Sequence, residues 1–355
     1  MFRVVLLKHG YPSTRHERRI VAAAGGDLLD TDPLTEAEAL AACEDADAII
    51  VRWLKITPGV LRGFRRCKVI VRYGVGTDNV DLAAATAAGI LVSHAPDYCI
   101  EEVSDHAIAL LLACVRSVVP MHNRLAAGGW DDNPPSKMWR MSGRTLGLLG
   151  FGHIGQAVAR KMLPWKVRIL ATDPYADPAR ANSLNVRLVD RETLCRESDY
   201  LSLHAPLLPE TRHLVGPAEL ALMKPGSILV NTARGPVLDT SALLQALDSG
   251  RLASAGLDVF ENEPLPPDSP FRTHPRLVIS DHAAWYSEDS LAELQETVAE
   301  EAVRVCLGGL PRAIANFEVL DKLGRRAEWA PNETAQWQMR RQAALATTFS
   351  TRRAV

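Results

Sequence analysis

The chain has 355 residues, 47% of them hydrophobic, with 40 Lys and Arg against 42 Asp and Glu and a formal net charge of -2. That length allows two domains with cores of their own. The near-even charge balance, free of like-charge blocks, gives no footprint for nucleic acid or a charged-tail partner. The longest apolar run, Ala107 to Cys114, stops at Arg116, short of the ~20 residues that a membrane span needs. The apolar stretch after Met1 is too short for a secretory signal and reads as a first strand. Cysteines 43, 67, 99, 114, 195 and 306 form no CxxC pair and no metal-like spacing. They read as buried free thiols of a cytoplasmic protein, with no metal, membrane or nucleic acid expected.

In chain order, short apolar runs at Val4–Leu7, Ala48–Val51, Val69–Val71 and Ile90–Val92 alternate with helix-like pieces. Those pieces include Leu34–Ala42 and Asp81–Ala88, the latter closed by Gly89. Short buried strands alternating with helices predict a parallel sheet. A helix rich in Ala and Leu is expected from about Glu101 to Val118, stopped by Pro120. A second α/β series follows, with strands at Thr145–Leu149, Val167–Ala171, Tyr200–Leu203, Ile228–Val230, Ala253–Leu257 and Leu277–Ile279. The next helix has Ser287 as N-cap, Glu288 and Asp289 in its first turn, and Gly308-Gly309 as its stop. Its Leu291, Leu294, Val298, Ala302 and Val305 share one face, which must pack. Beyond about Leu320 the Arg-, Ala- and Thr-rich chain reads as a loosely held tail.

The segment Gly147-Leu-Leu-Gly150-Phe151-Gly152-His153-Ile154-Gly155 carries GxGxxG between a buried strand and an amphipathic helix, the context that a dinucleotide site requires. Gly150 serves the tight turn, Gly152 the approach of a pyrophosphate, and Gly155 the close packing of helix on strand. The phosphates are expected over the N–H groups at the helix start, around His153 and Ile154. Asp173 ends the second strand about 20 residues later, where a carboxylate accepts from ribose hydroxyls and repels a 2′-phosphate. NAD is therefore the expected cofactor.

Three later strands end in polar residues: Arg234 after Ile228–Val230, Asp258 and Glu263 after Ala253–Leu257, and His282 after Leu277–Ile279. In open α/β sheets such strand ends face the ligand crevice. A planar guanidinium suits the adjacent oxygens of a 2-oxo acid. A histidine titrating near neutrality suits proton transfer to the alkoxide left by hydride addition. A glutamate on its other ring nitrogen fixes the tautomer, and Glu263 is the candidate.

From Val69 to about Asn316 the chain resembles the D-isomer-specific 2-hydroxyacid dehydrogenases. The resemblance rests on Arg72-Tyr-Gly-Val-Gly-Thr-Asp-Asn-Val-Asp81, the Gly150 loop, His204-Ala-Pro-Leu with Thr211, Asn231-Thr232-Ala233-Arg234-Gly, Leu257-Asp258-Val-Phe-Glu-Asn-Glu263-Pro, and His282. It implies that Arg234 binds substrate, Glu263 assists, and His282 is the acid/base. It also implies that Asp258 contacts the nicotinamide carboxamide, and that His204, Ala205, Pro206, Thr211, Thr232 and Ala233 line the cofactor. The Val75-Gly76 backbone would meet the substrate carboxylate. Glu263 argues against the formate dehydrogenase branch, which has Gln there. His282-Ala-Ala-Trp285-Tyr-Ser-Glu is most similar to the C-terminal-binding-protein branch, NAD(H)-binding co-repressors.

The implied architecture is two Rossmann-like doubly wound domains. Residues 1–98 with 289–319 would form a flavodoxin-like substrate domain, 99–288 an inserted NAD-binding domain, and 320–355 the tail. A homodimer is implied, to which Glu101–Val118 could contribute, although that helix suits burial within one domain equally well. Trp285, one turn past His282, would favour an apolar substrate tail if it lines the pocket. Arg52 and Lys55 would favour a second anionic group. The competing functional reading is an NAD(H)-gated binding module, which has no need of an oriented acid/base.

Overall fold

Ala48-Ile-Ile-Val51 has no exposed residue, and a short run buried on both faces belongs inside a parallel sheet. In the computed structural model, which describes residues 1–33 and 35–329, it is the central strand of five. These are β1 (Arg3–Leu7), β2 (Asp27–Thr31), β3 (Ala48–Val51), β4 (Val69–Arg72) and β5 (Leu91–His94), in the parallel order β2-β1-β3-β4-β5. That order is the flavodoxin-like doubly wound arrangement. The sheet belongs to one of two compact units, which joins the described residues up to 98 with 287–329.

Strand β2 was not foreseen. As an edge strand, Asp27-Leu-Leu-Asp-Thr31, it holds only two apolar residues and is nowhere fully buried, so no apolar run announces it. The helix Leu82–Ala88 begins where Asp81 accepts the N–H of Ala84 and ends at Gly89, φ +75°. The helix Glu288–Cys306 has the expected N-cap, Ser287 accepting from Ser290 N, and buries Leu294, Val298, Ala302 and Val305 against β3, β4 and the helix Arg15–Ala23. The expected helix at 34–42 is Glu36–Cys43, capped by Thr35.

After residue 309 the chain returns to cover the edge of β5. Ala315 N donates to Val92 O, and the buried Asn316 accepts from Val92 N (2.8 Å) while donating to Ile90 O (3.0 Å). An otherwise open strand edge is thereby closed. The loose-tail reading is corrected for residues 320–329. Leu320 is fully buried, Arg325 donates to Gly308 O, and Trp329 Nε1 donates to Pro311 O at 2.9 Å. The basic composition hid two apolar anchors. The rest of that tail, and Leu34, lie outside the described residues.

Residues 99–286 form the second unit. Its strands are β6 (Thr145–Leu149), β7 (Arg168–Thr172), β8 (Val186–Leu188), β9 (Tyr200–Leu203), β10 (Ser227–Asn231), β11 (Leu252–Leu257) and β12 (Leu277–Ile279). All are parallel, in the order β12-β11-β10-β9-β6-β7-β8. Short β8, an edge strand, is the second one unannounced by sequence. Separate apolar cores cover the two faces of the sheet. The winding reverses between β6 and β9, and at that switch point ligands bind beyond the carboxyl ends of the strands.

The apolar helix is Ile100–Val115, and its face is used inside this unit. Leu110 and Cys114 lie so close to β11 that a Cβ on Gly256 would stand 2.9 Å from Leu110 Cβ. Pro120 does not stop this helix; the break is at Ser117, φ +49°, and Pro120 sits in the first turn of a new helix, Val118–Ala126. There the missing N–H costs nothing, because a first turn has no intrahelical acceptor for it. Of the six free cysteines, Cys67 and Cys306 are only half-buried.

Asn316→Leu removes its bonds to Val92 N, Ile90 O and Thr86 Oγ1 and leaves the buried Val92 N–H unsatisfied, so the first unit should lose about 2–4 kcal/mol. Urea unfolding followed by circular dichroism checks this. An unchanged midpoint would mean that the return segment contributes nothing to the sheet.

Candidate active site

The turn after β6 is built by glycines at the places where a side chain will not fit. At Gly150, φ +99°, a Cβ would lie 2.7 Å from Ala205 N and from the His204 carbonyl carbon. At Gly155 it would meet Gly150 O at 2.5 Å. The helix His153–Met162 therefore starts directly over the strand end, with Gly152 as a cap that offers no side-chain oxygen to its first N–H groups. Those donors and the positive end of the dipole suit a pyrophosphate.

Asp173, past the end of β7, accepts from Phe151 N through Oδ2 (2.8 Å) and from Tyr175 N through Oδ1 (2.9 Å). Each oxygen keeps a lone pair for a ribose hydroxyl. Phe151 is buried beneath the loop. His204, Ala205 and Pro206 follow β9 beside the glycine turn. Burial pushes the His204 imidazole down to about 4, so it stays neutral, with Nε2 2.9 Å from Ser202 Oγ. Thr211 accepts from Leu208 N (2.7 Å) and donates to Pro206 O (2.6 Å), which fixes this loop. Thr232, past β10, is 7% exposed and its Oγ1 has no hydrogen-bond partner. A glycine cradle, a poised carboxylate and an orphaned hydroxyl together fit a dinucleotide.

Beyond the neighbouring strands stands the polar cluster. His282 Nδ1 lies 2.6 Å from Glu263 Oε2, while Glu263 Oε1 accepts from Phe260 N at 2.8 Å. Burial opposes ionisation of Glu263. The His282 hydrogen bond and charge, the Phe260 N–H and the Arg234 guanidinium outweigh it and hold the carboxyl below its ordinary range. An ionised carboxylate only accepts, so Nδ1 carries the proton. Arg234 is half-buried with Nη1 donating to Ala233 O (2.8 Å). Gly235 makes its loop possible: a Cβ there would fall 1.9 Å from the Phe260 carbonyl carbon.

Asp258 is 1% exposed and shapes the next turn. Its Oδ1 accepts from Ala283 N (2.9 Å), its Oδ2 from Ala284 N (3.0 Å), and its carbonyl from His282 N (2.8 Å). His282 is thereby held at φ +57°, a left-handed conformation that non-glycine residues adopt only when the surroundings impose it. Sequence reading missed the part of Asn231. This fully buried residue accepts from Ala233 N and donates to Arg234 O, each at 3.0 Å. An Asn ending a buried strand two residues before a loop was the available signal.

Trp285 does not continue a helix from His282. It lies in a turn closed by Tyr286 N donating to Ala283 O, its ring edge-on to Tyr286 at 5.4 Å. Val75 and Gly76 stand past β4 in the first unit, where Val75 O is 2.8 Å from His94 Nδ1. In that unit, beyond β3, Arg52 stacks over Tyr11 (4.3 Å) and Trp53 (4.5 Å) and donates to His9 O, while Lys55 is exposed.

A glycine cradle, an oriented His–Glu pair and an arginine stand past the ends of one sheet's strands, an arrangement whose chemistry suits nicotinamide-linked oxidation and reduction. Residues 108–284 match the family described as D-isomer specific 2-hydroxyacid dehydrogenase, NAD binding domain. The chain is 39% identical over 281 residues to a glyoxylate reductase of Korarchaeum cryptofilum, covering 78% of this chain and 85% of that protein. It is 38% identical over 304 residues to a D-3-phosphoglycerate dehydrogenase of Methanocaldococcus jannaschii, covering 84% of this chain but only 58% of that protein's length. The apo D-lactate dehydrogenase of Escherichia coli superimposes with a TM-score of 0.76 at 30% identity, over 88% of this chain and 100% of that one. The chain belongs to the D-isomer specific 2-hydroxyacid dehydrogenase family and is an NAD-dependent oxidoreductase.

Asp173→Ala should relax the preference for NADH over NADPH by about tenfold or more, since the carboxylate both accepts from the ribose and repels a phosphate. Binding titrations with both nucleotides decide; an unaltered ratio would mean that other groups read the ribose.

Proposed function

We propose that this chain reduces a small 2-oxo acid to the D-2-hydroxy acid, with His282 as acid/base, Glu263 assisting it and Arg234 binding the substrate. The observation that carries the reading is the 2.6 Å contact between His282 Nδ1 and Glu263 Oε2, one strand end away from Arg234. Bound nicotinamide supplies the hydride for the carbonyl carbon. Arg234 grips the carboxylate and carbonyl oxygens with parallel N–H donors and steadies the negative charge that develops. His282 gives its Nε2 proton to that oxygen, and Glu263 stabilises the imidazolium before transfer and the tautomer after it. In oxidation the same imidazole takes the proton back.

Gly150, Gly152, His153, Ile154 and Gly155 hold the pyrophosphate, and Asp173 holds the ribose. Asp258 Oδ2, which accepts one protein N–H, retains a lone pair for the carboxamide. Trp285, on the same turn as His282, suits an apolar substrate tail. The relatives named glyoxylate reductase and D-3-phosphoglycerate dehydrogenase represent a tail-less and an anionic case. NADH oxidation should therefore be followed with glyoxylate, pyruvate, hydroxypyruvate, phenylpyruvate, 4-methylthio-2-oxobutanoate and 3-phosphohydroxypyruvate. On whichever turns over, His282→Asn should lower kcat about a thousandfold with NADH affinity nearly intact. Near-normal turnover in that variant would refute the acid/base assignment, and feeble turnover of the whole panel with tight NADH binding would favour the binding-module reading.

A homodimer is part of the same proposal. Val118, Leu125, Trp130 (81% exposed) and Trp139 expose apolar surface along the helix Val118–Ala126 and the segment after it. Exposed apolar side chains so concentrated suit burial against a second copy. Light scattering should give twice the chain mass; a mass of one chain would reject the assignment.

A further inference from the structure

The turn that carries His282 is tied, through two side chains, to a helix far away in sequence. His106, on the helix Ile100–Val115, places Nε2 2.8 Å from Ser280 Oγ, and Ser280 Oγ lies 2.6 Å from Asp258 Oδ1. A direct approach of His106 Nε2 to the same oxygen, 3.5 Å, closes the triangle. The proton count sets the direction of the chain. A carboxylate oxygen accepts, a serine has one hydroxyl proton, and a neutral imidazole has one N–H. Ser280 therefore donates to Asp258 and accepts from His106, whose proton sits on Nε2.

Asp258 Oδ1 is thus held from one side by Ser280 and grips Ala283 N on the other. Without Ser280 and His106 the carboxylate rotates about its side-chain bond, and the backbone bonds that keep His282 left-handed loosen with it. We infer that His106 and Ser280 are positioning residues for proton transfer at His282, acting through the Asp258 carboxylate. Neither touches substrate. This inference rests on the acid/base reading of His282 proposed above.

Three variants of the full chain test it. In His106→Leu, hydrogen exchange at the Ala283 and Ala284 amides should quicken about tenfold, because their acceptor has lost its brace. With the fastest 2-oxo acid of the panel and saturating NADH, kcat should fall about tenfold while KM and NADH affinity move less than about twofold, since misplacing the acid costs the chemical step. His106→Gln, whose amide N–H reaches Ser280, should recover most of the loss. Ser280→Ala, a smaller change, should repeat the Leu result and serves if the Leu variant folds poorly. Unaltered exchange overturns the link to the turn. Faster exchange with unaltered kcat also overturns the proposal, by reducing the chain of bonds to a structural one. His282→Asn with full turnover instead refutes the reading of His282, while the exchange data still judge the bond chain.

Discussion

A carboxylate removed from water must be met by donors, because an unsatisfied buried charge costs more than the fold has to spare. Asp258 meets this demand with a backbone that would otherwise have no reason to turn where it does. Ser280, Ala283 and Ala284 converge on its two oxygens, and its own carbonyl takes the N–H of His282. The demands of one buried residue, side chain and carbonyl together, thus bend His282, Ala283 and Ala284 around it. The left-handed geometry of His282 follows from that bend. On its other flank Asp258 N donates to Asn231 O, so the same residue sets the spacing between the His282 turn and the Arg234 loop.

The arrangement works because the strands are parallel and the sheet is doubly wound. Parallel strands present all their carboxyl ends on one edge. Residues separated by dozens of positions then become neighbours without long connections: the Gly150 turn past β6, His204 past β9, Arg234 past β10, Glu263 past β11 and His282 past β12. Close backbone approach completes the packing. Gly150 admits the His204 loop and Gly235 admits Phe260-Glu261, each at a distance where a Cβ would collide. These glycines and Asn231 hold the ends in place, and the charged residues stand on them.

The first unit shows the same logic with different side chains. Its winding reverses between β1 and β3, and past those strands stand His9, Tyr11, Arg52 and Trp53. Burial pushes the Tyr11 hydroxyl up to about 12. Tyr73, past β4, donates to the buried Glu17 at 2.5 Å, and burial raises that carboxyl above its ordinary value despite the bond. Stacking between aromatic faces stiffens the Arg52 guanidinium, which a solvated surface arginine would not be.

Much of this was written in the sequence. Central strands such as Ala48–Val51, Thr145–Leu149 and Tyr200–Leu203 are legible because burial on both faces demands unbroken apolar runs. The glycine turn, Asp173 and the polar strand ends Arg234, Glu263 and His282 are legible because their chemistry requires those residue types at those places. Edge strands β2 and β8 were not, since half-exposed strands need no apolar run. Nor were the anchors Leu320 and Trp329, single apolar residues in a basic stretch. The break at Ser117 escaped because proline is compatible with a first helical turn as well as with a stop. Tertiary structure alone decided that Ile100–Val115 spends its apolar face inside its own unit, that Thr211 braces a loop, and that His106 and Ser280 reach Asp258. Pattern and spacing record what each residue needs locally. Which partner satisfies a buried polar atom depends on contacts between segments that only the folded chain brings together.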